Sequence, residues 1–196
     1  MSASRIILAA IVGGLVVFCW GAVSHMVLPF GEMGIKNLPG EEVLVAAMKA
    51  SMTERGFYLF PGMEQRGKDM TEAEQKAWEE KYRRGPRGVV VFDPSGSEAM
   101  SATMLGAEFA SNAFSALILA IVLAHTRAGR GKRVLLATAL GIFAWASIDV
   151  SYWNWYRFPD LFACSALIDQ GIGWLLGGAA IALILGRPKH ADTAAQ

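Results

Sequence analysis

A few polar side chains within or beside long apolar segments are the residues that could do chemistry. Asp149 and Asp169 stand on either side of a turn at 158–159. A charged acid facing lipid at the membrane centre costs about 2.5 kcal/mol or more, so such residues are predicted to face protein. The candidate ligand- or ion-binding residues are Asp149, Asp169, Glu108, Asn112, Tyr152 and His25.

Four apolar segments are long enough to hold these residues inside a membrane. About 20 helical residues cross a hydrocarbon layer of about 30 Å, and the segments are 6–28, 102–124, 134–155 and 161–185. Of the 196 residues, 54% are hydrophobic and only 18% are charged. This composition predicts an all-α membrane protein, an antiparallel four-helix transmembrane bundle with a small α+β extracytoplasmic cap between spans 1 and 2.

Asp149 and Asp169 are predicted to form one coupled site. Counted from the turn, both lie roughly 13–15 Å from the outer edge, and Asn112 reaches the same depth. Glu108 lies one turn further out, and His25 is nearer still to the outer surface. Two acids at one level without a basic neighbour are expected to share a proton or enclose a cation.

Several interpretations of these acids stay open. They could line a polar cavity in the outer half that binds a cation, relays protons or holds a polar head group. They could be protonated and hydrogen-bond Asn112, Tyr152 or Ser165 across helices. Asp149 or Asp169 could also pair with an Arg from another protein's span, which would make the chain a subunit.

The sequence predicts no metal and no cofactor. His25 beside carboxylates has suitable ligand types, but His-x-x-x-His and Glu-x-x-His spacings are missing. His25 and His125 fall near opposite membrane faces, which disfavours haem. Residues 151–159 (SYWNWYRFP) are typical of an interfacial aromatic belt, with a stacking site for a ring-bearing lipid or quinone as the alternative.

Small residues mark helix-packing surfaces. Gly173 and Gly177 form a small-xxx-small face that lets helix backbones approach closely, either within the bundle or against another subunit. Cys19 and Cys164 lie in spans, so no disulfide framework is predicted. A Gly-rich phosphate loop, an activated nucleophile and an HExxH helix are all missing, which disfavours a hydrolase or an ATPase.

Loop charges predict the orientation. The stretch 125–133 carries Arg127, Arg130, Lys132 and Arg133 without an acid, and short basic loops stay in the cytoplasm. Both termini are then inside and the predicted segments are span 1 (1–30), an external cap (31–100), spans 2–4 (101–188) and a cytoplasmic tail (189–196). We expect a multi-pass protein of a bacterial inner (plasma) membrane.

The cap is predicted to be folded. A helix should run from Glu41 to a glycine cap at Arg55–Gly56, and a second, opened by a Thr71–Glu74 capping box, should end near Tyr82. Strands at 57–60 and 88–92 should pair as a ribbon that lies over the bundle and is marginal alone.

The sequence does not identify a substrate. The favoured function is a non-enzymatic accessory protein that binds a partner protein or an amphiphilic ligand through its cap and a polar outer-half cavity. The alternatives are a proton- or cation-coupled transport component using Asp149 and Asp169, and a membrane enzyme acting on a lipid-soluble substrate with those acids as general acid and base. The expected partners are the bilayer and a membrane protein or a second copy; the net charge of +1 disfavours nucleic acid.

Overall fold

The computed structural model describes residues 2–63 and 70–187, and the chain divides into two compact units. The first comprises residues 1–36 and 99–196, and the second comprises 37–98. The predicted tail at 189–196 lies outside the described residues. The elements in chain order are α1 (Ala3–Met26), α2 (Glu41–Ser51), β1 (Gly56–Phe60), α3 (Glu72–Arg84), β2 (Gly88–Phe92), α4 (Ala102–Ala124), α5 (Arg130–Tyr156) and α6 (Asp160–Leu185).

The four long helices of the first unit, α1, α4, α5 and α6, are long and apolar enough to cross a membrane. The mean hydropathy of their most apolar windows is 2.6, 1.8, 1.8 and 1.6. The prediction of four span-length helices is confirmed. Helix α5 begins at Arg130, four residues before the predicted span, so its first turn contains three basic residues.

The shared core lies at one end of these helices. Helix α1 packs against α4 and α6, and α6 also packs against α5. The buried residues of α4 fall between 116 and 123, and those of α5 between 133 and 141. The other halves of α4 and α5 contain no buried residue. The core cluster is Ala9, Ala116, Leu119, Ala120, Leu123, Ala137, Ile181 and Leu185.

Two arginines bind the C-terminal end of α6. The guanidinium of Arg133 is fully buried and donates to the carbonyl of Gly186 at 2.7 Å and to that of Thr126 at 3.2 Å. Arg5 Nε donates to the carbonyl of Ile184 at 2.5 Å. The last carbonyls of a helix lack intrahelical donors and carry partial negative charge, so both contacts are favourable.

Helix α1 stops before its predicted end. It ends at Met26, three residues before Pro29, and a short 3-10 helix follows at Pro29–Glu32 and packs against α1 and α6. Gly34 has φ +82°, and a Cβ there would lie 2.7 Å from the backbone nitrogen of Phe162. Glycine is therefore required for the chain after α1 to run along the first turn of α6.

The second unit contains the predicted ribbon. Strands β1 and β2 pair antiparallel from Gly56 opposite Phe92 to Phe60 opposite Gly88, which confirms the predicted pairing. The capping box of α3 is also confirmed, since Thr71 N–H donates to Glu74 Oε2 at 2.8 Å and Thr71 Oγ1 accepts from Glu74 N–H. The Thr71 backbone N–H and then its hydroxyl lower the pKa of Glu74.

The predicted end of the first cap helix is wrong. Helix α2 ends at Ser51 because Met52 adopts an extended conformation, with φ −118° and ψ 109°. Gly56 does not cap a helix; it is the first residue of β1 and pairs with Phe92. Ladder pairing of the strand overrides the local cap signal at Arg55–Gly56.

The second unit has no buried core among its described residues, because every one of them is exposed or half-buried. The contacts of α3 are made by aromatic and polar groups. The indole N–H of Trp78 donates to the carbonyl of Pro61 at 3.1 Å, its ring lies 5.1 Å from that of Tyr82, and Arg87 lies 4.8 Å above the Tyr82 ring.

Candidate functional site

The most connected polar cluster in the first unit joins α1 to α6 through Asp169. The hydroxyl of Ser24 donates to Asp169 Oδ1, and His25 Nε2 lies 3.0 Å from Asp169 Oδ2. Ser24 is fully buried, the Asp169 side chain is 20% exposed, and the His25 side chain is 58% exposed. The cluster thus has a closed side at Ser24 and an accessible side at His25.

Close approach of α1 and α6 brings these residues together. A Cβ on Gly177 would lie 2.6 Å from Val17 Cγ2, and one on Gly173 would lie 3.2 Å from Trp20 Cδ1. Both glycines therefore face α1 within the chain. Gly31 of the 3-10 helix covers the imidazole, since a Cβ there would lie 2.5 Å from His25 Nδ1.

The predicted depths of His25 and Asp169 need correction. We expected His25 nearer the outer surface than Asp169, yet the two side chains are in contact. The reason is that α1 ends at Met26 and the 3-10 segment, rather than more helix, accompanies the first turns of α6. The last turn of α1 is therefore level with Asp169.

Asp149 and Asp169 do not lie at the same height along the helix axes. The polar contacts of Asp169 are with α1. Gly141 lies against Trp174. A Cβ on Gly141 would also lie 2.6 Å from the carbonyl oxygen of Gln170, so the antiparallel register offsets Asp169 from Asp149 by about one helical turn or more. Asp149 is half-buried and makes no hydrogen bond or ion pair with another described side chain. The expectation that the two acids are level is wrong, because it counted residues from the turn and ignored the helix register.

The other sequence-predicted residues form separate contacts. Glu108 Oε1 accepts from Asn112 Nδ2 at 3.1 Å within α4. Tyr152 packs on aromatic rings, with centroids 5.6 Å from both Tyr156 and Phe158. Trp153 Nε1 donates to Asp160 Oδ1 at 2.6 Å at the same end of the α5–α6 hairpin. Of the six candidates, the structure joins His25 with Asp169 and Glu108 with Asn112.

The order of groups in the Ser24–Asp169–His25 cluster limits its chemistry. In an activated serine site the imidazole lies between the hydroxyl and the carboxylate. Here the carboxylate lies between the other two groups, so His25 contacts no hydroxyl that it could deprotonate. Among the described residues, no three His, Cys, Asp or Glu side chains are placed to hold a metal ion. Residues of α2 line one open depression, and residues between 78 and 87 line another. Neither depression includes Asp149 or Asp169.

Sequence reasoning missed two residues. Ser24 precedes His25 and lies three residues after Gly21 on one side of α1, and that spacing is the available signal. The sequence predicts that Arg133 lies in a short basic loop, but it belongs to α5 and is buried. Its only sequence signal is its position directly before the apolar run of α5.

Four helices long and apolar enough to cross a membrane are consistent with a multi-pass membrane protein, and the chain has an additional small α+β unit. No protein-family model, curated protein or solved structure matches the chain.

Proposed function

We propose that the chain is a non-enzymatic accessory protein of a bacterial inner membrane, a four-helix transmembrane bundle that binds a partner protein through its external unit, residues 37–98. One observation carries the proposal: none of the described residues of that unit is buried, although its sheet gathers large apolar side chains. An uncovered apolar sheet face is typical of an interaction surface.

The apolar surface is one face of the ribbon. Residues directly opposite in an antiparallel pair project to the same side of a sheet. Leu59 pairs with Val89, and Val91 lies two residues after Val89 in the same strand, which places these three on one face. Leu59 is 44% exposed and Val91 is 74% exposed. Covering each is worth about 1–2 kcal/mol, which a protein partner can supply.

The transport alternative has less support. It required Asp149 and Asp169 to act together, whereas both carboxylate oxygens of Asp169 contact residues of α1. The enzyme alternative requires the same two acids as general acid and base, and no hydrogen bond or ion pair joins them through a shared described residue. Neither alternative is supported by a contact between the two acids.

A photo-crosslinking amino acid at Val91, in the full-length chain and in intact cells, tests the proposal. We expect one adduct of discrete mass, because Val91 lies in the proposed interface. The matched control is the same amino acid at Gln75, an exposed position of α3 that should give no such adduct.

A second variant separates specific binding from chance proximity. Leu59→Glu places a charge on the ribbon face and should abolish the Val91 adduct while the four apolar helices retain their thermal stability. An adduct that survives Leu59→Glu, or that forms equally from position 75, would refute binding through the ribbon face.

A further inference from the structure

One side of α4 carries a continuous stripe of residues, called the seam below, that begins in the buried core and continues beyond it. Glu108, Asn112, Ser115 and Leu119 are spaced four, three and four residues apart, the spacing with which one helix packs along another. Leu119 is 5% exposed and belongs to the core shared by all four long helices. Glu108 and Ser115 are exposed, and Asn112 is half-buried. The seam is thus covered at one end only.

The carboxylate of Glu108 points along the seam rather than out of the membrane. Side chains on a helix tilt towards its N-terminus, which for Glu108 is the nearer end of α4. The hydrogen bond from Asn112 Nδ2 to Glu108 Oε1 instead draws the carboxylate towards the next turn of the helix. Glu108 lies about 9 Å from the start of α4 and Asn112 about 15 Å, so the acid is held at span depth.

No described Lys, Arg or His side chain forms an ion pair with Glu108. The described Lys and Arg residues of the four long helices are Arg5, Arg130, Lys132 and Arg133. All lie at the opposite end of the helices, where Arg5 and Arg133 bind the end of α6. At the nearer end the described basic residues of the first unit are His25, which contacts Asp169, and Lys36 and Arg157, which lie outside the four long helices and form no ion pair with Glu108.

We infer that the Glu108–Asn112–Ser115 seam docks a transmembrane helix of a different protein, and that this helix presents an Arg or Lys side chain to Glu108. The small Ser115 side chain admits close approach of a helix, and Asn112 supplies a further hydrogen-bonding group. The four long helices of a second copy carry no Lys or Arg at that depth, so a basic side chain inside the membrane would come from a helix of another sequence. The inference concerns a different surface from the ribbon face and does not rest on it.

Synthetic transmembrane peptides test whether the seam binds a helix with a basic side chain. The probes are two acceptor-labelled poly-leucine transmembrane peptides, one with a single Arg about 9 Å from one end and one with Leu at that position. Energy transfer from donor-labelled full-length protein is measured in phosphatidylcholine vesicles. We expect the Arg peptide to bind about tenfold more tightly than the Leu peptide.

Two variants assign the effect to Glu108. Glu108→Gln should remove the preference for the Arg peptide, and it should fold normally because Glu108 forms no hydrogen bond or ion pair outside α4 among the described residues. Asp149→Asn is the matched control, since it removes another span carboxylate that has no cationic partner, and it should retain the preference. Equal binding of the two peptides to wild type, or loss of the preference in Asp149→Asn, would overturn the inference.

Self-association is measured in the same vesicles with donor- and acceptor-labelled copies of the full chain. We expect Asn112→Leu to leave any energy transfer between copies unchanged. Transfer that Asn112→Leu abolishes would assign the seam to a second copy and would also overturn the inference.

Discussion

The contact between Ser24 and Asp169 leads to the sharpest prediction about the membrane unit. Ser24 is fully buried, and its hydroxyl donates to the carboxylate. A hydrogen bond to a charged group contributes about 1.5–3 kcal/mol in soluble proteins, but such bonds average about 0.6 kcal/mol in membrane proteins and reach about 1.7. We therefore expect Ser24→Ala and Asp169→Ala to be coupled by about 1 kcal/mol.

The coupling is measured with a double-mutant cycle. Wild type, Ser24→Ala, Asp169→Ala and the double variant are purified and unfolded by SDS in mixed micelles, with tryptophan fluorescence reporting the transition. Each single change removes the same hydrogen bond, so the double variant should be less destabilised than the sum of the two single variants. Activity is not needed for this measurement.

Asp149 supplies the control for this cycle. It lies about one helical turn from the level of Asp169 and shares no described partner with it. The cycle of Asp149→Ala with Asp169→Ala should therefore be additive within about 0.5 kcal/mol. Coupling confined to the Asp149–Asp169 pair, with additive effects for Ser24 and Asp169, would refute the reasoning about helix register.

Two further predictions concern packing and orientation. A Cβ on Gly14 would lie 2.5 Å from Ala113 Cα, whereas one on Gly21 would meet nothing within 4 Å. In SDS unfolding, Gly14→Ala should therefore destabilise the protein by about 1–3 kcal/mol, and Gly21→Ala should be neutral or stabilising. Equal effects of the two substitutions would contradict the α1–α4 contact. With Cys19 and Cys164 replaced by Ala, an impermeant thiol reagent should label Ser95→Cys in intact cells and not Ala128→Cys, and the reverse pattern would invert the proposed topology.

The second unit shows what local signals can establish. The Thr71–Glu74 capping box and the pairing of 57–60 with 88–92 were predicted from short local motifs, and both are present. The end of α2 was not predicted, because Gly56 satisfies a helix cap and a strand start equally well by residue type. Pairing with Phe92, 36 positions away in the chain, decides between them.

The sequence by itself determined the number and approximate bounds of the apolar helices, because span length and hydropathy are properties of continuous segments. It also identified Asp169 and His25 as residues that need partners. Only the tertiary structure decided which partners these are. Counting residues from a turn gives depth along one helix, but it does not give the rotation and stagger of one helix against another. The rotation and stagger of α6 against α1 are set by the close approach of Gly173 to Trp20 and of Gly177 to Val17. This packing brings Asp169 into contact with Ser24 and His25, and not with Asp149.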